Sequence, residues 1–293
     1  LLPHLVKIRQ LARILQLDAA VSLDRGDSAR VLDDILKTIA IAQSLEKEPT
    51  LISKMVEFAC LSISCDETEN LLSVGHLDSA SLRLLQAKME ELENSIRFEN
   101  AMLGEFCITH QGLQSLNSAK DFVRLLGEAE PLRWTDKAFI WLLLRSGMVQ
   151  LGDLKTIEIE HRIITLMRDS KSAEAFMDGL LPIQSECREL PRLYSFAKIF
   201  LPSTFPAFQR YGRIIAMLRA ERTAIAVELF RRDTGHLPEA LGELVPKYID
   251  AVPGDPFASG KPLKYIKGNL YCGTRTKEDA DFIMRKGFAV YSV

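Results

Sequence analysis

Residues 221–265 read ERTAIAVELFRRDTGHLPEALGELVPKYIDAVPGDPFASGKPLKY. Ile225 and Leu229 continue a helical stripe that begins with Phe208, Tyr211, Ile214, Ile215 and Leu218. Asp233-Thr234-Gly235 ends it: Gly235 suits the left-handed conformation that closes a helix, and Pro238 suits the first turn of the next. Residues 239–248 predict a short second helix. Asp255-Pro256 marks a turn, because an aspartate side chain can accept hydrogen bonds from nearby loop N–H groups. Past Pro262 the period changes. Residues 263–266 alternate like a strand, 267–269 read as a turn, and 270–272 can pair back as a hairpin. Residues 276–286 have helical composition, and 288–293 are β-rich. The spacing predicts a small α+β module with an antiparallel sheet, covered by Tyr248, Phe257 and Tyr265.

Upstream, everything is helical in pattern. Residues 5–23 place Leu5, Ile8, Leu11, Ala12, Leu15, Ala19 and Leu23 at helical spacing, with Lys7, Arg9, Arg13 and Asp18 among the rest. Gly26 suits a C-terminal cap, and Asp27 or Ser28 can cap a second helix over 29–46. Thr50 can open a third, over 51–73. These antiparallel hairpins with alanine at close positions fit either a plain bundle or a repeat-like array. After the break at 76–79, residues 82–116 read as one long helix or two. A short helix follows over 122–126. Thr135 or Asp136 can then cap a helix reaching Met167, and 172–180 make another short one. Pro182, Pro191, Pro202 and Pro206 predict short helices and turns between them. The fold class is therefore mainly α: a large helical body over 1–207, then a long helix and small antiparallel sheet over 208–293.

Composition narrows the function. A net charge of -2 with interleaved acids and bases lacks the basic face of a nucleic-acid binder. The apolar run 139–144 is far short of the roughly 20 residues that span a bilayer, so any membrane attachment would come from an anchor absent from this chain. Five cysteines without a CxxC indicate neither a disulfide framework nor a zinc site. Cys60, Cys65, Cys107 and Cys187 lie in helical patterns and read as small buried hydrophobes.

The motifs of the closing module carry a resemblance. Asp233-Thr234-Gly235-His236-Leu237-Pro238 and the loop from Asp255-Pro256-Phe257 through Pro262 to Tyr265 resemble the soluble part of the major pseudopilin of type II (general) secretion systems. In that family a long helix ends in a D-x-G-x-x-P turn and a D-P-[FW]-G-x-P-x-x-Y loop leads into a small antiparallel sheet. The chain is also similar to bacterial envelope proteins that fuse such a module to a long helical region behind an N-terminal anchor. The resemblance covers about a quarter of the chain. It departs from the family in the helical body, which stands where pseudopilins have an apolar polymerising helix. It implies an extracytoplasmic, periplasmic setting, with anchoring to the inner membrane in the full-length form. Asp233, Gly235, Pro238, Asp255, Pro256, Phe257, Pro262 and Tyr265 are read as structural corners.

Motifs of chemistry are sparse. The five histidines form neither HExxH nor HxH, and no phosphate-binding glycine loop or nucleophile elbow occurs. Glu158, Glu160 and His161 read as a solvated helix surface. Ser64-Cys65-Asp66 has no positioned base. Asp33-Asp34 and Glu90-Glu91 are adjacent on helices and point apart. No catalytic residue, cofactor or metal is expected. The reading is a non-enzymatic envelope protein, a binding or scaffold component linked to secretion or pilus-like assembly, with other envelope proteins as partners. Two alternatives stay open: a true minor pseudopilin, and an enzyme whose site lies between the two domains.

Overall fold

A computed structural model of the chain describes residues 2–115, 118, 121, 138, 141–142, 144–272 and 283–292. They form a mainly helical fold with one small sheet: α1 (Pro3–Asp24), α2 (Ser28–Gln43), α3 (Leu51–Val74), α4 (Ser79–Ser95), α5 (Glu99–Gln114), α6 (Met148–Asp169), α7 (Ala173–Glu189), α8 (Ser195–Thr234), β1 (Lys264–Cys272) and β2 (Ile283–Tyr291). Single 3-10 turns occupy Arg192–Tyr194 and Leu241–Leu244. Among the described residues no helix is long and apolar enough to cross a membrane.

The helix starts follow local chemistry. Asp27, Asp78 and Ser172 each accept a hydrogen bond from the backbone N–H three residues on, satisfying a donor the helix cannot. Thr50 does the same for Ser53 at the start of α3. Residues 82–116 resolve into two helices, α4 and α5. The helix expected to run unbroken to Met167 is interrupted at Gly147 (φ +77°), after which α6 begins. The expected helix over 122–126 and the caps at Thr135 and Asp136 lie outside the described residues.

Contacts divide the chain into two compact units. One comprises Leu1–Glu46, Val56–Arg97 and Tyr211–Val293; the other comprises Lys47–Met55 and Phe98–Arg210. The boundary expected at 207/208 falls within α8. In the first unit, α1 contacts α2 and buries Leu5, Ala12 and Ala19. Its share of α3 buries Phe58, Cys60, Leu61, Cys65 and Leu71. Its share of α8 buries Ile225, Ala226 and Val227 in succession, the pattern of a helix covered on several sides.

The second unit centres on Phe208. Phe98, Phe176 and Phe205 meet its ring edge-on, with centroids 5.6, 5.6 and 6.0 Å away. A second cluster gathers Leu113, Val149 and Phe196. Gly104 admits the segment before α3, since a Cβ there would lie 1.8 Å from the Pro49 carbonyl oxygen.

Two proline expectations are corrected. Pro182 lies inside α7, and α8 runs on past Pro202 and Pro206 for 40 residues in all. A proline removes one ladder bond, and the burial of Leu201, Thr204, Phe205 and Phe208 outweighs that loss here.

The sheet also differs from expectation. β1 and β2 pair antiparallel in nine-residue register, from Lys264 opposite Tyr291 to Cys272 opposite Ile283. Residues 267–269 are therefore strand, not turn. Gly268 (φ +138°) faces Gly287, and this backbone conformation, open to glycine, lets the ladder continue. Of the helix expected over 276–286, residues 283–286 are strand and the remainder lie outside the described residues. The helix expected over 239–248 is only the four-residue 3-10 turn.

Candidate functional site

All eight corner residues sit in the first unit, in two groups. At the end of α8, Gly235 (φ +80°) donates its N–H to the Arg231 carbonyl at 2.8 Å. Asp233 Oδ2 accepts from Lys247 Nζ at 2.7 Å and the Tyr248 hydroxyl at 2.8 Å. Those two donors hold the Asp233 carboxyl below its ordinary range. The helix end is thereby tied to the segment fourteen residues later. Pro238 is buried, and its carbonyl accepts from the Tyr265 hydroxyl at 3.0 Å. Glu243 Oε1 accepts from the N–H groups of Glu239 and Ala240, which fixes the intervening turn.

The second group surrounds Asp255, which is fully buried. Its Oδ1 accepts from the Phe257 N–H at 2.9 Å and the Ser292 hydroxyl at 2.8 Å, joining the loop to the residue after β2. Its own N–H donates to the Lys261 carbonyl at 2.7 Å. Pro256 is buried beside it, and Pro262 bridges back to Gly254. The expected covering of the sheet holds only for Tyr265, whose ring meets Phe288 at 6.3 Å. Tyr248 packs instead on Phe230 of α8, and Phe257 faces outward at 41% exposure.

Beside these corners runs a groove of about 400 Å³ between α4, α8 and residues 246–254. Two of its arginines are paired. Arg219 donates to Glu93 at 2.7 Å and to the Gly254 carbonyl at 2.6 Å, and Arg222 donates to Glu90 at 3.0 Å. Gln86 holds the Tyr248 carbonyl at 2.8 Å. Arg219 and Gln86 thereby clamp the loop to α8 and α4.

A more available surface is the outer face of α1. Val6, Ile14 and Leu17 stand 58%, 61% and 68% exposed, with Leu11 and Val21 beside them. The helix is apolar on two opposite faces, of which the one with Leu5, Ala12 and Ala19 is buried. The three bases Lys7, Arg9 and Arg13 lie in its first half, and Asp18 and Asp24 in its second. This stripe went unread in the sequence, because a helical pattern reveals one apolar face most readily when the other is polar.

Reactive groups are mostly engaged or buried. His110 Nδ1 lies 2.8 Å from Asp153 Oδ1 and its Nε2 lies 2.7 Å from the Gln114 amide, so both ring nitrogens are occupied. Ser64 donates to the Leu61 carbonyl, and burial pushes the Cys65 thiol well above its ordinary value. Glu160 is corrected: it is not solvated but buried, and burial with Asp153 nearby raises its carboxyl to about 8. It lies on the inward stripe of α6 with Thr156, Ile163 and Ile164. Cys107 is corrected too, since it is exposed while Cys60, Cys65 and Cys187 are buried.

Asp34 and Glu67 are also buried, which the sequence did not single out. Neither oxygen of either carboxylate has a hydrogen-bond partner. Asp33 and Asp34 do diverge, Asp33 to solvent and Asp34 to the interior. Among the described residues no group of three or more His, Cys, Asp or Glu is placed to hold a metal ion. Comparison with family models, curated proteins and solved structures returns no match to this chain.

Proposed function

We propose that this chain is a non-enzymatic component of a bacterial cell envelope, acting by binding another envelope protein in a secretion or pilus-like assembly. The observation that carries the reading is the outer face of α1. A 22-residue helix is about 33 Å long, and over about 23 Å of it, from Val6 to Val21, exposed aliphatic side chains recur on one face; exposed apolar patches of this kind mark interaction surfaces. Burying five half-exposed aliphatic side chains is worth about 1 kcal/mol each, before the costs of association. The partner that fits is an amphipathic helix with its own apolar stripe, running antiparallel if its bases and acids are divided as in α1. The two hydrogen-bonded corners support the link to secretion through their resemblance to the pseudopilin motifs. The extracytoplasmic setting rests on the same resemblance.

The test is photo-crosslinking in cells from a reactive residue at Leu17, with the same residue at exposed Lys37 as control. A discrete heterologous envelope product from position 17 is expected, absent from position 37 and lost in an Ile14→Glu background. No product at position 17, or one indifferent to Ile14→Glu, would refute the reading. A product containing only two copies of this chain would replace it with self-association.

A further inference from the structure

Helices of the first unit turn polar oxygens inward without supplying donors for them. On α2, Asp34 is fully enclosed, and Thr38 follows one turn later on the same buried face. On α3, Glu67 is enclosed as well. The four carboxylate oxygens and the Thr38 hydroxyl are shut off from water and have no hydrogen-bond partner. α8 meets α3 where the Tyr211 ring lies 6.4 Å from that of Phe58 and the Met217 sulfur 3.9 Å from the Ser62 hydroxyl. One turn further along α8, Glu221 Oε2 is likewise enclosed and unpartnered. Buried carboxylates are normally matched by donors. A dry carboxyl without them favours its neutral form, which carries its own donor and no charge.

The charged groups around Glu67 act in the same direction. After burial itself, Asp34 of α2 and Asp66 of its own helix push its carboxyl up to about 7. Asp34 is raised by burial and by Asp18 of α1, against Arg30 and Lys37. Those two bases stand 3.7 Å from Asp34 and are engaged by Asp18 and Asp33. Asp24 is the charged residue of α1 that shares a cavity lining with Glu67. From α8, Glu221 is itself raised well above its ordinary value by burial, Glu69 and Asp66. Arg9 of α1 acts on Cys60, two turns before Glu67. Acids from α1, α2 and α8 thus gather around residues 66–69 of α3, while Arg30 and Lys37 stay at the Asp34 end.

We propose that α3 is held by a proton-operated latch: with Glu67 protonated the helix is locked in place, and when the proton leaves, residues 64–71 open more often so that the carboxylate reaches water. The closed packing still predominates at pH 8, and what changes is the frequency of opening. In the open state the carboxyl has its ordinary value of 4.5, so the closed state holds the proton more tightly. Opening is therefore rarest below about pH 4.5, grows as pH climbs toward 7 and levels off above it. Between pH 6 and pH 8 the increase is about tenfold.

The test is hydrogen–deuterium exchange of the full chain at pH 6 and pH 8, under conditions where exchange reports the opening equilibrium and with rates corrected for the pH dependence of intrinsic amide exchange. Protection of amides 64–71 should fall about tenfold at pH 8. Glu67→Gln, which keeps the shape and removes the ionisation, should abolish most of that fall. Asp34→Asn, which removes a like charge, should reduce it to under about fivefold. A fall under about twofold in the unsubstituted chain, or one that survives in Glu67→Gln, would overturn the proposal. Should Glu67→Gln fail to fold, Asp34→Asn decides, and a fall as large as that of the unsubstituted chain overturns the latch.

Discussion

Replacing Glu67 by glutamine should stabilise the protein at pH 8 and destabilise it by about 1 kcal/mol near pH 4.5. Burial raises the carboxyl from 4.5 to about 7, with Asp34 and Asp66 adding to the shift. The native state thus holds this proton more tightly than the unfolded chain. The stabilisation from proton binding is complete below about pH 4.5 and is lost as pH rises through about 7. At about 1.4 kcal/mol per factor of ten in proton affinity, the native protein forgoes about 3 kcal/mol at pH 8. Glutamine avoids the ionisation but leaves amide atoms short of partners, at about 1 kcal/mol. The net gain expected at pH 8 is therefore about 2 kcal/mol. Relief of the like charge on Asp34, whose carboxyl is also raised by burial, adds in the same direction. Urea unfolding of both proteins at pH 4.5, 6, 7 and 8 measures the difference. A difference that is flat across this range, or a glutamine variant less stable at pH 8, would show that Glu67 is not held in a dry, donor-poor place.

Two further outcomes test other parts of the fold. Asp255→Ala should destabilise the first unit by about 3 kcal/mol, since the buried Phe257 N–H and Ser292 hydroxyl lose a charged acceptor. A loss under about 0.5 kcal/mol in urea unfolding would contradict this, while Asp255→Asn should recover part of it. In a Cys272→Ser background, a thiol reagent at pH 8 should label Cys107 promptly. Cys60, Cys65 and Cys187 should label only on unfolding, because burial encloses them and pushes Cys60 and Cys187 to about 11. Prompt reaction of two or more thiols would refute that burial.

Much of the helical body was legible because its punctuation is local. Asp27 capping Arg30, Thr50 capping Ser53 and Gly26 in the left-handed region each settle a few residues without help from elsewhere. The corners around Gly235 and Asp255 were legible for the same reason. Distant pairing was not. Lys267-Gly268-Asn269 has turn composition, yet the partner strand carries Gly287 opposite Gly268 and the ladder passes through. Helices around Pro202 and Pro206 were cut short on paper because proline's local cost is visible and the packing of Phe208 is not. The charged residues misled most. Glu160, Glu67 and Asp34 look solvated by type, and only the direction of their helix faces puts them inside.

The first unit is drawn from three stretches of chain, with residues 98–210 lying between the second and third. Spanning such an interruption adds little to the equilibrium cost, about 0.6 kcal/mol for each doubling of the closing loop. Its effect is on timing, since contacts of long sequence separation slow folding. On the ribosome, helices α1, α2 and α4 emerge well before the α8 residues that complete their core. Throughout that interval their inward faces are open to water and to other nascent chains, and α1 is apolar on both sides. This protein's synthesis therefore has a built-in vulnerable window, which closes when the residues after Tyr211 arrive.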